Sequence, residues 1–174
     1  MAQTIPDKLP SKATKGELLL FDILKRLPDQ AVVYHEPVID NRHPDFVVIL
    51  PELGVLLIEV KDWKFSTILG GDSRAVRLRA GEREVSAAHP LRQVRDYKIR
   101  LMVRCRNHPY FSRLIHASGP HMGYFKFPFG ASAFFPISRG INWRRFRRAG
   151  RFSRRRPSSP GINWPPGRIF RPAC

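Results

Sequence analysis

Residues 45–61, "DFVVILPELGVLLIEVK", hold two apolar runs joined by a short break that contains a proline and a glycine. Runs of this length, rich in Val, Ile and Leu and separated by so tight a reversal, predict two neighbouring antiparallel strands. Three charges sit inside this hairpin: Asp45 opens the first strand, and Glu59 and Lys61 fall at the end of the second. Burying them beside aliphatic side chains is costly unless they pair or hold a metal.

Strand alternation puts Val55, Leu57, Glu59 and Lys61 on one face and Leu56, Ile58 and Val60 on the other. A reversal near Glu52 and Leu53 sets Asp45 opposite about Val60, alongside Glu59 and Lys61. Two carboxylates beside an ammonium suit a hard divalent cation. Magnesium takes oxygen ligands and often uses only one or two protein carboxylates, the rest being water and phosphate oxygens. Asp45 and Glu59 are the candidate ligands, with the Val60 carbonyl a further donor. Lys61 is placed to orient or help deprotonate an attacking water and to offset charge developing on a phosphate. For an isolated E-x-K pair, a plain salt bridge to Lys61 is the simpler reading. Here the two acids and the lysine sit on two successive apolar strands, with an amphipathic helix before and another after, which favours a site.

The first of those helices is expected in "KGELLLFDILKRLP", where Leu20, Phe21, Leu24 and Leu27 form an apolar stripe that Pro28 ends. Glu17 lies on the same face, either as part of the site or as a first-turn acid favoured by the helix dipole. Residues 1–14 read as an extended lead-in. "AVVYHEPVID", Ala31 to Asp40, reads as a strand that Pro37 confines to an edge or a bulge. Lys64 to Ser86 reads as a further hairpin with glycine-containing turns. The second helix is expected in "AHPLRQVRDYKIRLMVRC", with Pro90 at its first position and Leu91, Val94, Lys98 and Leu101 on one face. Gln93 and Tyr97, four residues apart, project together and could hydrogen-bond a phosphate or the site carboxylates. Arg92, Arg95 and Arg100 offer backbone-phosphate contacts or a solvated helix face. "GYFKFPFGASAFFPISR" predicts one more strand or strand pair.

Charge points towards polyanions. The chain carries 31 Lys+Arg against 14 Asp+Glu, a net +17. From Arg139 onward there are eleven arginines and no acid, so the 138 residues before them are only moderately basic. Residues 139–174, rich in Arg and Pro, are expected to be a disordered tail. They are either a basic nucleic-acid arm or the product of a truncated or frame-shifted coding sequence. With 174 residues the chain accommodates one ordinary domain. Its two cysteines form neither a disulfide framework nor a zinc spacing. The N-terminus lacks an apolar signal core and no run spans a bilayer, so a cytoplasmic protein without membrane partners is expected.

Glu17 on helix one, "PD" at Pro44-Asp45, "EVK" at Glu59 to Lys61 and "QVRDY" at Gln93 to Tyr97 together resemble the PD-(D/E)xK nuclease superfamily. Within it, "KGE", "PDFVVILPELGVLLIEVKDW" and "HPLRQVRDY" look like the nuclease-related domain, NERD, over residues 15–138. The resemblance implies a restriction-endonuclease-like α/β core with a central mixed β-sheet flanked by helices. It further implies magnesium-dependent (or manganese-dependent) cleavage of DNA phosphodiester bonds in DNA processing or repair. Asp45 and Glu59 then correspond to the metal-binding acids, Lys61 to the catalytic lysine, Glu17 to the helix-one acid, and Gln93 with Tyr97 to the helix-borne motif. A superfamily-one DNA helicase is the partner implied, since such domains often precede one, although no "GxxxxGK[ST]" loop occurs here. The alternatives are a non-catalytic DNA-binding module, whose acids only hold a sheet end, and a truncated fragment of a NERD-helicase protein.

Overall fold

A computed structural model describes residues 1–136, so the expected arginine-rich tail from residue 139 lies outside the described residues. The apolar hairpin forms as β3, Phe46–Leu50, and β4, Gly54–Val60, paired antiparallel. Its register places Phe46 opposite Ile58 and Leu50 opposite Gly54. Asp45 is therefore level with Glu59, one residue from the expected position, because the reversal has three residues rather than two. Leu53 N–H donates to the Leu50 carbonyl at 3.0 Å, and Gly54 follows at φ +99°. A β-carbon at Gly54 would also run into the Pro128 carbonyl. Gly54→Ala is expected to cost at least about 1–3 kcal/mol, read as a lower denaturant midpoint at unchanged slope.

β2, Val32–His35, pairs antiparallel with β3. The lead-in supplies a short strand, β1, Gln3–Ile5, which lies parallel to β2 and covers its outer side. β2 is therefore an inner strand and stops before Pro37, whereas the sequence leads one to expect a strand from Ala31 to Asp40 that Pro37 confines to an edge or a bulge. Proline lacks the N–H that a ladder needs, and Glu36 at φ +46° already turns the chain away. β8, Phe129–Phe134, joins β4 in parallel and completes a five-stranded mixed sheet ordered β1-β2-β3-β4-β8. Between β4 and the second helix the chain forms β5, Ile68–Gly71, β6, Ala75–Ala80, and β7, Arg83–Ala88. These make a separate three-stranded antiparallel sheet rather than the single hairpin expected.

The helices cover the two faces of the main sheet. α1, Lys15–Leu24, is opened by a capping box in which Thr14 accepts from Glu17 N–H and Glu17 accepts from Thr14 N–H. It packs Leu20, Phe21 and Leu24 on Val33, Phe46, Val48, Ile58 and Val60, with Leu27 against their edge. α2, Pro90–Asn107, packs Val94 and Tyr97 on Ile39, Val47 and Leu57. Its buried face is rotated from the expected one: Leu91 is 46 % exposed whereas Tyr97 is buried. The result is a mixed α/β architecture, a five-stranded mixed sheet flanked by helices, consistent with an endonuclease-like core. Among the described residues no helix is long and apolar enough to cross a membrane.

Candidate active site

The ladder explains why the charges gather where they do. β4 continues past the start of β3, so the Val60 N–H has no backbone acceptor on that side. Asp45 supplies one: its Oδ2 accepts from Val60 N at 2.6 Å, while its own carbonyl accepts from Glu36 N at 3.0 Å. Pro44, fully buried, leads into this position. The carboxylate thus replaces a strand hydrogen bond at the point where β3 and β4 part.

Glu59 shares the α2 face with Asp45 and is only 2 % exposed. Lys61 Nζ donates to Glu59 Oε1 at 2.6 Å, and the ammonium lies 6.0 Å from the Trp63 ring centroid. Glu59 Oε2 is buried and has no hydrogen-bond partner among the described residues. Such an orphan is rare in a folded protein and needs a physical reason. Like charges level on neighbouring strands also destabilise the pair.

Both carboxyls hold their protons above the ordinary carboxylate range. For Asp45 burial is the main cause, opposed by the Val60 N–H and Lys61 and reinforced by Glu17 and Glu36. For Glu59 burial again leads, opposed by the Lys61 hydrogen bond and reinforced by Asp45. A carboxyl that binds its proton more tightly when folded gives stability that is complete below the ordinary range and is lost as pH rises through the raised value. Glu59→Gln is therefore expected to gain stability relative to the metal-free parent as pH rises from about 4 to 8. Thermal melts of the two proteins across that range check this; a constant difference between them refutes it.

The other sequence-selected residues divide into two groups. Glu17, with its side chain 14 % exposed, lies 3.3 Å from His35 Nε2 as well as serving the capping box. Its charge raises the proton affinity of both Asp45 and Glu59. Gln93 Nε2 donates to Tyr97 Oη at 2.7 Å. Burial holds the Tyr97 phenol above its ordinary value, and the charges of Glu59 and Asp45 push the same way, so α2 brings this pair to the carboxylates. Arg92 and Arg95 point outward, exposed, and their guanidiniums pair with no described residue; Arg100 pairs with Asp96 at 2.9 Å.

Two neighbours escaped the sequence reading. His35 is buried between Glu17 and Phe46, 5.1 Å from the Phe46 ring centroid. Its alternation with Val33 on β2 was the available signal, since both face α1. Asp62 Oδ2 accepts from Gly16 N at 2.9 Å and ties the start of α1 to the end of β4. No local pattern announces that contact, because it joins residues far apart in the chain.

Donor chemistry at this point fits a divalent cation: two oxygen ligands on one face, one of them carrying an unsatisfied oxygen, with proton affinities that burial has raised. Among the described residues no three His, Cys, Asp or Glu side chains converge as a metal-ligand group. A cation here would take two carboxylates, with backbone, water or phosphate oxygens in the remaining positions, as magnesium accepts.

Searches of curated proteins and of solved structures find no significant match. A family model does match: the nuclease-related domain, NERD, aligns with residues 12–117, which contain every side chain of the site. That span covers more than half of the chain, which therefore belongs to the NERD nuclease-related domain family.

Proposed function

We propose that the chain is a magnesium-dependent nuclease that hydrolyses DNA phosphodiester bonds, with manganese as a substitute ion. The observation that carries this reading is the buried, unpartnered Glu59 Oε2 level with Asp45 and beside Lys61. Asp45, Glu59 and the Val60 carbonyl would hold the cation, while Glu17, engaged by His35 and by Thr14 N–H, would act on the site through its charge. When bound, the cation supplies Lewis-acid polarisation of the phosphate and lowers the pKa of water.

The remaining work falls to the chain's own groups. Lys61, partly open to solvent, exchanges its contact with Glu59 for the attacking water, whose oxygen accepts a hydrogen bond from the ammonium and is oriented by it, while the water's proton passes to bulk solvent. Its ammonium then offsets negative charge building on the phosphate oxygens. Tyr97, steadied by Gln93, presents a phenol to the same region, and the exposed Arg92 and Arg95 on α2 meet flanking phosphates.

The Asp45–Val60 hydrogen bond and the Lys61–Glu59 pair, which give both acids a structural task at the sheet end, favour a second reading, a DNA-binding module without turnover. Incubating plasmid and linear DNA with purified protein, with magnesium or with a chelator, separates the two. Magnesium-dependent products that disappear in Lys61→Ala support the nuclease. Residual cutting equal in wild type and Lys61→Ala sinks it, and salt-dependent DNA binding indifferent to chelation supports the module.

A further inference from the structure

The larger of the two clefts described lies away from Asp45 and Glu59. It has a volume of about 440 Å³ and lies between the later part of α2 and the segment leading into β8. Lys98, Arg106 and Lys126 supply its charges, Tyr124, Phe125 and Phe127 its rings, and no carboxylate lines it. Along the sequence the last acidic residue is Asp96, so the segment from Arg104 to Phe129 that builds most of the cleft contributes cations only.

The cleft is a built surface. His116 N–H donates to the Tyr124 carbonyl at 2.9 Å, Gly123 N–H donates to the His116 carbonyl at 2.9 Å, and Lys126 N–H donates to the Leu114 carbonyl at 2.8 Å. Arg106 donates to the Gly123 carbonyl at 2.9 Å and sets its guanidinium 5.7 Å from the Phe125 ring centroid. Phe125 and Phe127 pack at 5.7 Å, yet both rings stay half-buried, and Tyr124 beside them is 68 % exposed. Such rings left in water among cations only are matched by a ligand that carries flat π-faces along an anionic backbone.

From these features we infer that this cleft binds single-stranded nucleic acid, with bases stacking on Tyr124 and Phe127 and phosphates meeting Lys98, Arg106 and Lys126. A duplex buries its base faces against their neighbours, whereas a single strand can offer them to side chains. Placement agrees with this. Phe129, at the edge of the cleft, pairs with Val55, and Ala133 pairs with Glu59, so that edge stands about 13 Å along the strand from the level of Glu59. That is about four nucleotides at a stacked spacing of roughly 3.4 Å. Only this placement relative to the cut rests on the nuclease reading; the ligand class does not.

The test uses the full chain in a chelator, so that binding is read without cleavage and independently of whether Lys61 is catalytic. A fluorescent oligothymidylate of about twelve nucleotides, within the site sizes of single-strand binders, is compared with an abasic strand of equal length and charge. Wild type should prefer the oligothymidylate. Tyr124→Ala and Phe127→Ala should each weaken its binding by about five- to tenfold while leaving the abasic strand unaffected. The ratio should persist as salt is raised, since stacking releases no counterions. Tyr124 is exposed enough for its variant to fold, which keeps the result interpretable if Phe127→Ala does not. Equal binding of the two strands by wild type overturns the inference, as does an unchanged affinity in Tyr124→Ala. Preferential capture of an aspartate-rich peptide over the oligothymidylate also overturns it and reassigns the cleft to an acidic protein segment.

Discussion

Asp45→Asn should slow the proposed magnesium-dependent DNA cleavage by about 10³-fold or more, because losing one of the two acids that would hold the cation removes several kcal/mol of charge stabilisation. Its melting temperature should stay where it is or rise slightly. The amide oxygen can still accept the 2.6 Å hydrogen bond from Val60 N, and the repulsion between Asp45 and Glu59 is gone. Asp45→Ala is expected to behave differently: it leaves the Val60 N–H without its acceptor and should cost about 1–3 kcal/mol as well as activity. Measuring cleavage and unfolding on both variants separates the two roles of one side chain. An Asn variant as active as wild type would remove Asp45 from the catalytic proposal.

The largest effect on stability is expected at Phe46. The ring is fully buried, 6.4 Å from Phe21 and 5.1 Å from His35 between centroids, and it joins β3 to α1 in one apolar cluster. Phe46→Ala removes the transfer energy of the ring and opens a cavity that the flanking strand and helix cannot close, a loss of about 3–5 kcal/mol. For a domain of this size that lowers the melting temperature by roughly 10 °C or more. The damage should extend to function, since Phe46 directly follows Asp45. A calorimetric scan that shows a shift of only a degree or two would mean that the core is organised otherwise.

The parts of this protein legible in its sequence are those fixed by local periodicity. Val47, Leu57 and Glu59 alternate as a strand demands, and Leu20, Phe21 and Leu24 recur as a helix demands. The hairpin and α1 were accordingly found with the correct faces. The family motif residues were legible because their types and order are specific. What escaped was decided by partners far away in the chain. Gln3–Ile5 has no strand signature of its own and becomes a strand only beside Val32–Tyr34. Leu91 and Tyr97 both fit a helical stripe, and the sheet beneath chose Tyr97. In residues 68–88 few apolar residues alternate, so a third strand could not be told from a turn. The cleft charges are spread over α2 and the loop before β8, and only the fold brings them together.

The Asp45–Val60 hydrogen bond has an evolutionary consequence. One carboxylate both ends a sheet and serves the proposed chemistry, so losing the reaction does not release the position from constraint. A lineage that abandons cleavage but keeps the fold should drift to asparagine at 45, which still accepts from Val60, and seldom to a small apolar residue. Position 59 should drift more freely, towards glutamine or an aliphatic side chain, because selection for stability there runs against the charge. A retired copy of this domain would then be recognised by an unequal decay of its two acids.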